Sequence, residues 1–110
     1  MRFLMKVSMH NEAANAAVSD GSLNKTMQSI LSELKPEAAY FLAENGRRTG
    51  YLFVNLQDAS QIPSIAEPWF LAFNASVDLV PVMVAEDLAK AAPAFEAMAK
   101  KYSVKAASAS

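Results

Sequence analysis

His10 is the only histidine in the sequence and the side chain best suited to acid–base chemistry. Imidazole exchanges a proton readily near neutral pH, so His10 could act as a general base on an organic substrate or orient a carbonyl group. The amide of Asn55 or the hydroxyl of Tyr40 could then stabilise an oxyanion. The alternative interpretation is structural, with His10 as a partly exposed residue at a strand–helix junction that is hydrogen-bonded locally.

Two aromatic residues four positions apart, Trp69 and Phe73, suggest the binding of an apolar ligand. They could form one wall of a pocket between helices and sheet, in which His10, Tyr40 or Asn55 supplies a polar contact. The expected ligand is a small apolar or aromatic molecule with one polar group. Aromatic side chains at helical spacing are also typical of a hydrophobic core, and Asn55 could instead pair across a subunit interface.

Other kinds of chemistry are disfavoured by the residue types. The sequence has no Cys and one His, which leaves no thiol nucleophile and too few ligands for an ordinary zinc site. It also lacks the glycine-rich motifs that bind phosphates or dinucleotides. We therefore expect no metal and no cofactor, and acid–base catalysis is the enzymatic class that stays open.

The length predicts one domain, and the lack of an export signal makes the cytoplasm the expected location. The chain has 110 residues and a formal net charge of -1, which gives no general attraction for nucleic acid or an anionic membrane. Arg2 and Lys6 interrupt the apolar N-terminal segment, so neither a signal peptide nor a membrane span is expected. We expect a single domain over 1–102 and a flexible tail, rich in Ala and Ser, over 103–110.

The apolar pattern alternates between strand-like and helix-like periods. Asn45-Gly46, between two apolar stretches, favours a tight hairpin turn, and Asp58 or Ser60 offers an N-cap to the helix that follows. Pro68 is expected to kink or divide its helix, and Pro93 is expected to split the last helix into two pieces. The predicted elements are a strand over 2–9, a helix over 23–34 with a possible helical turn over 13–18 before it, strands over 38–43 and 49–57, a helix over 58–73, a strand over 77–84 and a helix over 86–102.

This order predicts an α+β fold, a ferredoxin-like βαββαβ domain with a C-terminal helix and a four-stranded antiparallel sheet. Such a sheet has one face covered by helices, so its other face should be polar in a monomer. The predicted strands are instead apolar on both faces, as Tyr51 and Phe53 alternate with Leu52 and Val54. We therefore expect a homodimer that covers the free sheet face.

Two stretches carry a resemblance to a known group of proteins. NAAVSDGSLNKTMQSILSELKPEAAYF, over 15–41, and DASQIPSIAEPWFLAFNASVDLVPVM, over 58–83, resemble small bacterial proteins of unknown function in the dimeric α+β barrel superfamily. The resemblance implies a ferredoxin-like subunit that pairs sheet to sheet. Distant relatives are similar to cofactor-independent monooxygenases, muconolactone isomerases and haem-degrading enzymes, which use a cavity between helices and sheet. The resemblance brings no catalytic motif.

RNA binding is a further alternative, because RNA-recognition motifs share this element order and stack bases on strand aromatics. The stretch from Gly50 to Val54 matches the RNP1 pattern in part, with Tyr51 and Phe53 at aromatic positions. Thr49, Leu52 and Leu56 depart from the pattern. The residues thus favour a homodimer that binds a small molecule, with an acid–base isomerase or monooxygenase-like enzyme and an RNA-binding domain as alternatives.

Overall fold

The α+β prediction is confirmed by the computed structural model, which describes residues 1–103. The three helices that follow the first and third strands lie against a four-stranded antiparallel sheet, in the order expected of a ferredoxin-like domain. The predicted tail over 103–110 lies outside the described residues, apart from Ser103. The elements are β1 (Arg2–Ser8), α1 (Asn11–Asp20), α2 (Leu23–Leu34), β2 (Ala38–Glu44), β3 (Arg47–Asn55), a 3-10 turn (Ala59–Gln61), α3 (Ile62–Phe73), β4 (Ser76–Pro81) and α4 (Ala85–Tyr102).

The strand order in the sheet is β2-β3-β1-β4, and each pairing is antiparallel. Met5 lies opposite Leu52 on one side and Leu79 on the other, so these three side chains share a face that packs against the helices. We call it the helix face. Lys6, next along β1, lies opposite Tyr51 and belongs to the other face, which we call the open face.

The core lies between the helix face and helices α1 to α3. Met5 and Leu52 from the sheet, together with Trp69 and Phe73 from α3, are almost completely shielded from solvent. Ile30 brings the apolar stripe of α2 into the same cluster. Burial of this kind contributes roughly 25 cal/mol per Å² of apolar surface to the free energy of folding. Because side chains alternate along a strand, the helices that cover one face also determine which strand residues remain on the open face.

Local signals account for the turns. Asn45 and Gly46 both have positive φ angles, 53° and 74°, as the predicted hairpin turn between β2 and β3 requires. Lys35 ends α2 in the left-handed region, since Pro36 disfavours a helical residue before it. Asp58 caps the 3-10 turn by accepting a hydrogen bond from the Ser60 N–H at 2.9 Å.

Several predicted elements differ in extent from those of the structure. The possible helical turn over 13–18 is confirmed and belongs to a longer helix, α1, whereas β4 ends at Pro81 instead of continuing to position 84. Neither Pro68 nor Pro93 divides its helix. In α4, Pro93 removes the hydrogen bond to the carbonyl of Ala89, but this residue is exposed and water can solvate the freed oxygen.

Helix α4 has no buried residue, although its sequence is amphipathic. The described chain measures 68 × 29 × 21 Å, an elongated shape for a domain of this size. Within residues 1–103, no helix is long and apolar enough to cross a membrane. The apolar side chains that α4 exposes to solvent are Leu88, Phe95, Met98 and Tyr102.

Candidate functional site

His10 lies directly before α1, in extended backbone conformation, and is half-buried. Its backbone N–H donates to the carbonyl of Phe73 at 3.4 Å, and its carbonyl accepts from the N–H of Ala14 at 2.9 Å. Its imidazole does not cap the helix. The first bond joins the end of β1 to α3 and the second begins α1, so the residue has a structural place at the strand–helix junction.

Asn55 lies at the other end of the sheet. It is paired with Arg2 at the start of β1, whereas His10 follows Ser8 at the end of that strand. The strand rises about 3.3 Å per residue, so Arg2 and Ser8 are about 20 Å apart. The Asn55 Oδ1 atom accepts a hydrogen bond from the N-terminal ammonium of Met1 at 2.9 Å. His10 and Asn55 therefore cannot contact the same small substrate within one subunit.

The remaining predicted residues are divided between the two faces of the sheet. Tyr40 is opposite Tyr51 on the open face and is 63% exposed. Trp69 and Phe73 lie under the helix face, where their ring centroids are 6.2 Å apart. Trp69 is 0% exposed, and its Nε1 atom has no hydrogen-bond partner among residues 1–103. The five predicted residues thus do not converge on one pocket in the subunit.

Asn55 does line a groove between α2 and α3, which we call the helix groove. Its volume is about 380 Å³. Glu33, Gln61 and Ser64 make its lining largely polar. The apolar residues at its base are Ile30, Leu34, Leu56, Ile65 and Pro68.

A larger groove lies between the first half of α2 and the hairpin formed by β2 and β3. We call it the hairpin groove, and its volume is about 560 Å³. Its polar residues are Asn24, Arg48 and Thr49. Pockets for small molecules commonly have 300–1,000 Å³ and a mainly apolar lining with a few polar groups. The apolar lining residues are Met9, Leu23, Met27, Phe41, Leu42 and Ala43.

Strand register explains how this groove forms. Phe41 is paired with Gly50 on the helix face, and its ring lies close to that glycine: a Cβ atom at Gly50 would be 3.2 Å from the Phe41 ring and 3.1 Å from Leu52. Arg48 lies two residues before Gly50 and so points to the same face. Its Nη1 atom donates to the Oδ1 atom of Asn15 on α1 at 2.9 Å.

The open face carries a charged cluster that the sequence patterns do not identify. Lys6 forms an ion pair with Glu44, and the Tyr51 hydroxyl donates a hydrogen bond to the same carboxylate. The hydrogen bond from Lys6 lowers the pKa of Glu44, and that from Tyr51 lowers it further. Hydrogen bonding with Glu44 raises the pKa of both Lys6 and Tyr51.

The three residues of this cluster come from three strands, so only the pairing register brings them together. Lys6 is opposite Tyr51, and Tyr51 is opposite Tyr40 on β2. The cluster also means that the open face is less uniformly apolar than the alternation in β3 indicates. In the described part of the chain, no three His, Cys, Asp or Glu residues lie close enough together to hold a metal ion.

Comparison with known proteins gives a family without an assigned activity. A family profile described as "Domain of unknown function (DUF3303)" matches residues 1–96. This span includes the whole sheet, α1 to α3 and most of α4. No curated protein matches the chain.

Proposed function

The chain belongs to the DUF3303 family, and we propose that it works as a homodimer, of the dimeric α+β barrel type, that binds a small apolar molecule in the hairpin groove. The observation that carries the binding proposal is the groove itself. Its volume suits a small ligand, and most of its lining is apolar.

Two unpartnered surfaces support the homodimer. The open face exposes Tyr40, Leu42 and Val80, while α4 exposes an apolar stripe that includes Phe95. In proteins most of the stability of a helix comes from packing of its apolar side, and α4 has no such packing within the subunit. A second copy of the chain offers a sheet face and a helix, so two-fold association can cover both kinds of surface at once.

The charges on the open face are compatible with burial in such an interface. Lys6 and Glu44 are already paired with each other, as are Arg2 and Glu37 at 2.9 Å. Burying a paired charge costs far less than burying a single one. A stable interface of standard size buries roughly 1,600 Å², and the exposed apolar residues of the sheet and α4 provide its apolar part.

Sedimentation velocity at micromolar concentration tests the homodimer. We expect the wild-type chain to sediment as a dimer, Val80→Glu to shift it to monomer, and Phe95→Glu to weaken the association. Leu71→Glu is the matched control, because Leu71 is 83% exposed on α3 and away from both surfaces. A monomeric wild-type protein, or an equal effect of all three variants, overturns the proposal.

Titration of ¹⁵N-labelled protein with 1-octanol tests the ligand site. We expect saturable shifts of the backbone amides that surround the hairpin groove. Met27→Trp should abolish them because a large ring fills the groove, whereas Gln28→Trp, at the next and exposed position of α2, should not. Shifts that fail to saturate, or that map to another surface, contradict binding in this groove.

The two alternative functions receive less support. An acid–base mechanism needs His10 and Asn55 or Tyr40 at one substrate. His10 and Asn55 lie at opposite ends of β1, and Tyr40 is aligned, through Tyr51, with Lys6, four residues before His10. RNA stacking on Tyr51 and Phe53 would take place beside Glu44 and Asp78, whose carboxylates repel phosphate. A monomer that binds single-stranded RNA would favour this second alternative over the homodimer.

A further inference from the structure

We propose that the ligand of the hairpin groove is an apolar molecule that ends in a carboxylate, and that Arg48 binds the carboxylate. This inference rests on the proposed function, since it names the ligand class of the same groove. Among the residues that the structure describes, Arg48 is the only charged one that lines the groove, and none of the lining residues is acidic. A single guanidinium at one side of an apolar groove selects a ligand with one anionic end.

The hydrogen bonds of Arg48 leave room for such a partner. Within residues 1–103 it forms no ion pair, and its side chain donates to one neutral atom, Oδ1 of Asn15. A guanidinium has five N–H donors, so the remaining donors can bind both oxygens of a carboxylate. The helix-face position of Arg48 aims it toward α1 and α2, and away from the open face.

Helix α1 holds the guanidinium in place. Asn11 and Asn15 are four residues apart and so lie on one side of this helix. The Asn11 Nδ2 atom donates to the carbonyl of Gly46 in the hairpin turn at 3.1 Å, and Asn15 accepts from Arg48 at 2.9 Å. These two contacts fasten the hairpin to α1 at the charged end of the groove. Asn15 is thus a positioning residue for Arg48.

The rest of the groove suits the apolar part of the ligand. Phe41 lies over Gly50 and provides a flat wall, while Met9 and Met27 provide unbranched side chains that adapt to ligand shape. Because the methionines are adaptable, the groove specifies an apolar body and one anionic end more strongly than an exact carbon skeleton. An alkyl or arylalkyl carboxylate has both features.

Octanoate and 1-octanol, which share an eight-carbon chain, separate the carboxylate from the apolar body. We expect octanoate to bind the wild-type protein about tenfold more tightly than 1-octanol, the ratio that 1.4 kcal/mol provides. Arg48→Met keeps an unbranched apolar stem but removes the charge. It should lower the affinity for octanoate about tenfold and change that for 1-octanol much less. Arg47→Met, at the neighbouring position that does not line the groove, should leave both affinities unchanged.

The outcomes distinguish this inference from the function on which it rests. Equal affinities for octanoate and 1-octanol in the wild-type protein would overturn the carboxylate assignment and leave the apolar site standing. An equal loss of octanoate binding in the two arginine variants would also overturn it, because that result indicates general surface charge. If neither compound produces saturable shifts around the groove, both the inference and the proposed binding function are wrong.

Discussion

Glu44 makes the stability of the protein depend on pH. Its carboxylate is paired with Lys6 and accepts a hydrogen bond from Tyr51, and both contacts lower its pKa in the folded chain. A carboxylate whose pKa is lower in the folded than in the unfolded state stabilises the fold at neutral pH. That contribution disappears as the pH falls from about 4.3, the ordinary value for Glu, through the lower folded-state value.

We expect Glu44→Gln to unfold at lower urea concentration than the wild type at pH 7, and the difference to shrink toward pH 3. Urea titrations at pH 7, 5 and 3 measure this trend. Glu67→Gln is the control, because Glu67 is exposed on α3 and forms no ion pair within residues 1–103. A difference that is constant over this range would show that the ion pair with Lys6 does not couple to folding.

Individual site residues were harder to predict than the elements that carry them. The spacing of Trp69 and Phe73 is typical both of a pocket wall and of a hydrophobic core. The two residues belong to the core because they lie on the side of α3 that contacts the sheet. The sequence does not identify Arg48 as a site residue, because its position in the groove depends on strand register and on a contact with Asn15, more than thirty positions away. Neither relation can be read from the neighbouring residues.

The connection from β3 to α3 begins with a capping box. Asp58 accepts from the N–H of Ser60, and the side-chain oxygen of Gln61 accepts from the N–H of Asp58 at 3.1 Å. Asp58→Ala removes the acceptor and should lower the free energy of unfolding by about 1 kcal/mol. Asp58→Asn keeps an acceptor and should retain most of that free energy of unfolding. Urea unfolding measures both variants, and similar losses in the two would mean that the cap hydrogen bond is not the stabilising contact.

Elements with strong local signals can be predicted from the sequence, whereas the full extent of elements that depend on tertiary contacts cannot. The Asn45-Gly46 turn follows from the φ angles that these residues tolerate. By contrast, α1 contains mostly Ala and polar residues, and burial of Ala14 against the core helps to fix it as a helix. Pro93 predicts a break that the structure does not contain, because an exposed helix tolerates the lost hydrogen bond.

In the proposed dimer, the stability of α4 as a helix depends on assembly. We expect the amides of α4 to exchange slowly with deuterium in the wild-type dimer and quickly in Val80→Glu, because the monomer leaves this helix unpacked. The amides of β1 and β3 should remain protected in both proteins. Hydrogen exchange read by mass spectrometry measures these segments together, and rapid exchange of α4 in a wild-type dimer would exclude the helix from the interface.

Trp69 gives the protein a built-in optical reporter. It is the only tryptophan in the chain, it is fully buried, and its indole N–H lacks a hydrogen-bond partner in the described part of the structure. An indole in such surroundings emits at shorter wavelength than one in water, and its emission shifts to the red when the core opens. Neither the open face nor the hairpin groove includes Trp69. Its emission wavelength therefore reports unfolding of the subunit, while the sedimentation coefficient reports association. The two processes can therefore be measured separately in the same unlabelled sample.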